Sequence, residues 1–368
     1  MAYDTAMSPI PYHADLEKPE ADEAETIAAL NDNLRKISET TYADSGHAMR
    51  GVHAKSHGLL FGEMTVPDNL PENLRQGLFA RPGRYEVVLR LSTIPGDILP
   101  DKVSTPRGLA IKVIGVEGAR LPGSESAHTQ DFVLVNGPVF VAPTAKKFLG
   151  SLKMLAKTTD KMEGVKVAAS SIAQGAEKLV EALGGKSPTL ITMGGHPETH
   201  ILGETFYSQV PLRFGAYVAK ISVAPASTAL TALTGRKLEL DHQPNGLRDA
   251  VVAFFANQPA EWEVRAQLCT DLKTMPIEDA SAVWPEDESP YLPVARISVP
   301  AQVAWSAERT ARIEDSLSFS PWHGLDAHRP LGSVMRARKL TYEMSAALRA
   351  KLNGTAIREP ESIAALDR

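Results

Sequence analysis

The chain of 368 residues has one cysteine, Cys269, which excludes an intramolecular disulfide. A reducing compartment is the expectation. Positive charge is not in excess. Lys and Arg number 39 against 44 Asp and Glu, a formal net charge of −5, so nucleic acid is not expected as the main partner. The N-terminal MAYDTAMSPIPYHADLEKPE has no basic start and no apolar leader, and no run is apolar enough for a membrane span. A cytoplasmic location away from membranes is therefore expected. No internal repeat and no Gly-rich dinucleotide fingerprint appear. Gly185-Lys186-Ser187 looks like the end of a phosphate loop, but the glycine required five residues earlier is Val180. His196 and His200 have metal-like spacing, yet Pro197 argues against a zinc-binding helix.

Composition is otherwise ordinary, 43% hydrophobic and 23% charged, as in a globular protein with one large core or two domains. Residues 1–15 read as an irregular arm. Pro19–Thr40 carries Ile27, Leu30, Leu34 and Ile37 at helical spacing. Tyr85–Ser92, Gly108–Gly115 and Asp131–Val135 are short β-rich runs divided by turn residues, and Glu204–Val223 returns to strands. Ala145–Leu183, Gly246–Asn257 and Glu261–Leu272 read as helices, the last carrying Cys269 as a small buried apolar residue. A Pro-rich crossover (284–300) follows, then a helix around Tyr342. Strands flanked by long helical segments predict an α+β protein.

Two segments carry candidate chemistry. In Met49–Gly58, MRGVHAKSHG, Arg50 lies three residues before His53 and Val52 directly before it. In Ser333–Leu352, Arg338, Tyr342 and Arg349 fall within roughly 40° of one another on a helix. Two arginines and a tyrosine on one stripe suggest an anion site or a phenolate held by cation. A phenolate is a hard oxygen ligand suited to ferric iron.

Five segments, in order, resemble the haem catalases, and more closely their small catalase-related peroxidase branch. They are RGVHAKSHG (50–58), RLSTIPGD (90–97) with STPRGLAIKV (104–113), QDFVLVNGPVF (130–140), ASAVWPEDESPYLPVARISV (280–299) followed by FSP (319–321), and RKLTY (338–342).

The resemblance implies an antiparallel eight-stranded β-barrel wrapped by helices, binding haem b on its outer face. It divides the chain into an arm and helix (1–40) and a haem domain (41–368). The barrel would lie at about 50–235 and the helical wrapping at about 240–368. His53 would be the distal acid–base, cleaving peroxide heterolytically on the way to a ferryl state. Ser92 would hydrogen-bond beside it. Tyr342 would be the axial ligand of the haem iron, made acidic by Arg338 one turn earlier. Arg50, Arg90 and Arg349 match the partners of the haem propionates, a task that suits bidentate guanidinium. Val52 is the catalase-type residue before the distal histidine, where allene oxide synthases carry threonine. Phe140 and Phe148 match aromatic positions near the haem; Trp284 and Phe319 read as core and His57 as structural.

Asn136 is the expected distal amide, but the match is imperfect. The family carries two adjacent asparagines where this chain has Val135–Asn136. An ungapped alignment puts valine at the functional position, and a one-residue slip turns a side chain to the opposite face. The expected activity is reduction of hydrogen peroxide or organic hydroperoxides by a small organic electron donor, with weak catalase activity. The rivals are a small monofunctional catalase, a fatty-acid hydroperoxide isomerase, and a haem carrier or sensor. The arm at 1–40 is open to exchange between subunits, so a homo-oligomer is a further implication.

Overall fold

The alternation of apolar and polar residues along the β-rich runs decides the architecture. The structure, a computed structural model, describes residues 8–94, 96, 98–103, 105–159 and 197–366. Nine strands form one antiparallel sheet. They are β1 (Lys55–Val66), β2 (Gly83–Thr93), β3 (Arg107–Ile114), β4 (Thr129–Val135), β5 (Phe206–Tyr207), β6 (Leu212–Phe214), β7 (Tyr217–Pro225), β8 (Ala260–Leu268) and β9 (Leu292–Val299). The spatial order is β5-β4-β3-β2-β1-β9-β8-β7-β6, and β5 also pairs with β7. That pairing closes an eight-stranded barrel and leaves β6 outside as a hairpin on β7. Closure removes the exposed sheet edges that a strand of this length would otherwise present.

Because side chains alternate across a strand, every second residue fills the barrel. Leu60, Leu89, Leu91, Leu109, Ile111, Phe132, Leu134, Ile221, Val264 and Ile297 form this core. The residues between them face outward. On β1 to β3 they include Leu59, Val88 and Ile114, which pack under Ile313, Leu317 and Phe319 in a second apolar cluster outside the barrel.

The main helices are α1 (Glu23–Ser45), α2 (Ala145–Thr159), α3 (Gly246–Phe255) and α4 (Ser333–Asn353). α1 and α4 both end on a left-handed glycine, Gly46 and Gly354, whose N–H closes the last turn. Arg336 on α4 pairs with Glu17, Glu23 and Glu278. This one guanidinium ties the N-terminal arm, α1 and the 278 loop to the start of α4. Among the described residues no helix is long and apolar enough to cross a membrane.

Two stretches differ from the sequence reading. Glu261–Leu272, read as a helix, is strand β8 followed by a turn. Its Glu, Arg and Gln residues have helical propensity, but Ala260, Trp262, Val264, Ala266 and Leu268 are buried at a period of two. Cys269 is thus buried at a strand end, not on a helix. The Pro-rich crossover contains β9, in which Pro293 sits opposite Arg265 at a bulge. The barrel therefore runs on to Val299, past the 235 expected. Of Ala145–Leu183 only Ala145–Thr159 is described, and it is helical. Val165 to Leu183, the Gly185-Lys186-Ser187 run and His196 lie outside the described residues.

Candidate functional site

The outward faces of β2 and β3, the segment before β1 and the helix α4 enclose one cavity. It holds about 810 Å³ of empty space, part of it open to solvent. His53, Ser92, Arg50, Arg90, Val52, Tyr342 and Arg349 all line it. α1 supplies Leu34 and Ser38, and the apolar wall includes Val133, Phe319 and Met344.

His53 sits just before β1 with φ at 55°, a left-handed conformation uncommon outside glycine. Its backbone is held by Arg90, whose Nη1 donates to His53 O at 3.0 Å and Nη2 to Ala54 O at 3.1 Å. Its ring is held on two sides. Ser92 Oγ lies 3.2 Å from Nδ1. On the other side the ring packs on the bare backbone of Gly108, where a Cβ would come within 2.6 Å of Nδ1 and Cε1. Burial, with help from the Arg90 and Arg338 charges, pushes the imidazole down to about 3. His53 is therefore neutral at physiological pH.

The arginine end of the cavity is built around a residue the sequence reading missed. Glu314 closes a single π turn, Thr310–Glu314, and is 1% exposed. It accepts from Arg90 Nε at 2.7 Å and from Ser56 Oγ at 2.5 Å, and Arg50 Nη1 lies 3.7 Å away. Burial alone would raise this carboxyl, but Arg90 and Arg50 outweigh it and hold it below its ordinary range. Arg50 and Arg349 otherwise meet backbone. Arg50 Nη2 donates to Glu314 O and Leu317 O, and Arg349 donates to Glu314 O, Asp315 O and, at 2.7 Å, Leu317 O. The Nε of Arg349 is buried without a partner. Nothing in ARIEDSLSF distinguishes Glu314 from a surface glutamate; the π turn, which buries Ile313 and Glu314 together, is what turns it inward. Gly108 had a readable signal, since an interior strand glycine marks a close approach.

Four expected residues, Arg338 among them, stand apart from the cavity wall. Asn136 follows β4 one step beyond Val135. Its Oδ1 accepts from Arg107 N at 2.9 Å and its Nδ2 donates to Glu204. Arg107 shares the barrel-facing parity of Leu109 and Ile111, so Asn136 is turned from the cavity. Val135 is the residue paired with Gly108, on the face that carries His53. Phe140 and Phe148 pack edge to face on each other at 5.1 Å, with the Arg338 guanidinium 5.4 Å over Phe140. They reach the site through Arg338, one turn before Tyr342. His57 is fully buried beside Thr93 and Asp101, and His200 accepts from Leu202 N, both as structural residues.

Haem can be tested against this donor set. One end offers more arginine than carboxylate, as two propionates require. An unpartnered buried Nε of Arg349 and an unpartnered buried Oγ of Ser38 leave polar atoms unsatisfied along the wall. The middle is apolar, and a histidine and a tyrosine both face the space. The residues present fit the group.

No protein-family model matches the chain, and no curated protein matches it. Solved structures do. A fungal catalase at 1.9 Å is 16% identical, with a TM-score of 0.57 over 97% of this chain and 70% of that one. Catalase A from Saccharomyces cerevisiae is 18% identical, with a TM-score of 0.55 over 95% and 68%. A bacterial catalase is 16% identical, with a TM-score of 0.55 over 95% and 66%. The chain has the catalase fold and spans about two thirds of the length of these chains.

Proposed function

We propose that the protein is a haem b peroxidase that reduces hydrogen peroxide or organic hydroperoxides at the expense of a small organic donor, with weak catalase activity. The observation that carries this reading is the shared cavity. A neutral histidine, a tyrosine and an arginine-rich end line one space on the outer face of a catalase-type barrel.

Bound haem would supply the redox-active iron at which the peroxide O–O bond breaks and from which a donor is oxidised. Tyr342, one turn after Arg338 on α4, would hold the iron through its phenol oxygen. Arg50 and Arg349 would hold the propionates. The chain's own part in turnover falls to His53. With Nδ1 fixed by Ser92, Nε2 is the atom that takes a proton from the incoming peroxide and returns it to the departing oxygen. A base that is neutral at working pH is what this step needs.

The preference for a donor over a second hydrogen peroxide rests on Asn136. Catalase turnover needs a second peroxide oriented beside the histidine, and here the residue in register with Gly108 is Val135, while the amide serves Arg107 and Glu204. A small monofunctional catalase is the second reading, supported by the similarity in fold to solved catalases.

The test is the optical spectrum of haem-loaded protein before and after hydrogen peroxide, with oxygen release and oxidation of a phenolic donor measured on one preparation. Donor oxidation with slow oxygen release is expected. Fast oxygen release with negligible donor oxidation would leave a plain small catalase. In Tyr342→Phe the charge-transfer bands should be lost or strongly altered and haem retention should fall. An unchanged spectrum in that variant would remove Tyr342 as the ligand.

A further inference from the structure

Arg50, Arg90 and Arg349 look alike in sequence, yet their surroundings differ in kind. Arg90 spends its guanidinium on three oxygens at once: a carboxylate at 2.7 Å through Nε, and the carbonyls of His53 and Ala54 through its two amino groups. Its charge is compensated by Glu314, and its geometry is closed. Arg50 and Arg349 share a different environment. Their partners are neutral carbonyls of residues 314, 315 and 317, apart from the 3.7 Å approach of Arg50 to the same Glu314. Nearby Asp315 lies 3.1 Å from His47 and attracts both guanidiniums only through space. Carbonyl bonds do not neutralise a buried guanidinium, so three arginines against Glu314 and Asp315 leave this end with an excess of positive charge that attracts an anion.

From these contacts we infer that Arg90 is a positioning residue for His53, locked off the cofactor by Glu314, and that the anionic groups of the ligand fall to Arg50 and Arg349. The inference rests on the haem reading above and deepens it. Glu314 acts as an internal counter-ion. It fixes the Nε edge of Arg90, so that the two amino groups point back at the residue 53–54 carbonyls. Those two bonds hold His53 in its left-handed conformation, which a β-substituted residue would otherwise leave. With the backbone fixed there, the ring lies between Ser92 Oγ and the Gly108 backbone. The chain of effect is Glu314 to Arg90 to the His53 backbone to the orientation of the imidazole. Arg90 also contributes to keeping His53 uncharged.

The experiment uses the full chain with two readouts. The first is haem affinity by titration. The second is selective ¹³C and ¹⁵N labelling of histidine in the haem-free protein. The Cα and Cβ shifts of His53 there report its backbone conformation, and the ring shifts report its tautomer. Arg90→Gln should bind haem within about twofold of wild type while the His53 signals move to extended-backbone values. Arg50→Gln and Arg349→Gln should each weaken haem about tenfold or more and leave the His53 signals in place. Arg90→Lys guards against misfolding. It keeps the charge and the stem, but one nitrogen cannot occupy the three separate positions from which Nε, Nη1 and Nη2 reach Glu314, His53 O and Ala54 O, so His53 should shift there too. Glu314→Gln should move His53 in the same direction by less. Loss of haem in Arg90→Gln equal to that in the other two would overturn the proposal. So would His53 signals unmoved in Arg90→Gln and Arg90→Lys. Failure of the wild type to take up haem would instead sink the haem reading, and the histidine signals would still decide the role of Arg90.

Discussion

Two clusters of buried charge sit on the outer face of the same sheet. One is the arginine end of the cavity. The other lies on β3 and β4, on the far side of Phe319, where Lys112 is fully buried with its Nζ 5.6 Å over the Phe319 ring. Lys112 donates to Asp131 Oδ1 at 2.7 Å and Glu359 Oε2 at 2.6 Å. Thr129 and His323 complete the circle around Glu359, and Ser320 N donates to Asp131 Oδ2. This second cluster closes on itself: one ammonium meets two carboxylates, and each of the three has a partner. The cavity cluster does not close, because three guanidiniums meet one buried carboxylate and a row of carbonyls. Both clusters are expensive to bury. The fully partnered one serves to staple the C-terminal segment to the barrel, while the one with excess cation keeps a standing attraction for anions. Buried cations left without an acidic partner, more than burial or the number of charges, separate a candidate site from a structural staple on this molecule.

The comparison breaks most visibly at the histidine. In haem-loaded His53→Ala the spectral change that follows addition of peroxide should slow by about 10²–10⁴, the usual worth of a positioned acid–base group. Stopped-flow absorbance checks this. A wild-type rate would remove His53 from the mechanism. The corresponding lesion in the staple should leave peroxide chemistry intact and cost stability instead. Lys112→Met leaves the buried Asp131 and the half-buried Glu359 facing each other without that cation. Chemical denaturation should show a loss of about 3–5 kcal/mol, as when one partner of a buried pair is removed. A loss under about 1 kcal/mol would mean that the cluster is solvated and not a staple.

A smaller change sharpens the contrast from the cavity side. Gly108→Ala places a methyl where His53 Nδ1 and Cε1 would be 2.6 Å away and Ser92 Oγ 3.0 Å away. Overpacking of this kind costs about 1–3 kcal/mol. The displaced ring should slow the peroxide step by about 10², with haem affinity unchanged. Haem titration and stopped-flow on one preparation separate the two effects.

The sequence carried most of the barrel and the composition of the cavity. Gly83–Thr93, Arg107–Ile114 and Thr129–Val135 are legible because their alternation is clean, and α4 is legible because Arg338, Tyr342 and Arg349 share a stripe. β8 was hidden because the polar half of its alternation is Glu, Glu, Arg and Gln, good helix formers, and propensity outvoted a period that the buried residues show plainly. Of the residues around His53, Arg50, Arg90 and Ser92 were readable from their motifs. Glu314 was not, since it comes 224 residues after Arg90 and only the fold joins them. Asn136 was readable as a problem of register, and one step of the strand sends it to Arg107 and Glu204 instead of the cavity.

The two regions should also answer pH in opposite directions. His53 is held at about 3 by burial and by Arg90 and Arg338, below its ordinary 6.5. A depressed folded-state value means that the unfolded chain takes the proton first. The stability tied to neutral His53 is therefore present above about 6.5 and is lost as pH falls toward 3. Asp131 behaves in reverse. Burial raises its carboxyl to about 7, with Glu359 adding to the rise and Lys112 opposing it. A raised folded-state value favours the protonated form, so this contribution is full below the ordinary 3.8 and is lost as pH rises through 7. Denaturation midpoints between pH 5 and 8.5 should separate the two. Asp131→Asn keeps an oxygen for Lys112 and Ser320 N but cannot ionise, so it should flatten the decline between pH 6 and 8.5. His53→Gln should leave that decline unchanged and flatten the acid side instead. These slopes are the smallest effects expected, since other groups titrate over the same range. Their assignment depends only on which variant removes which slope. If Asp131→Asn left the alkaline decline as steep as in wild type, that decline would not belong to Asp131.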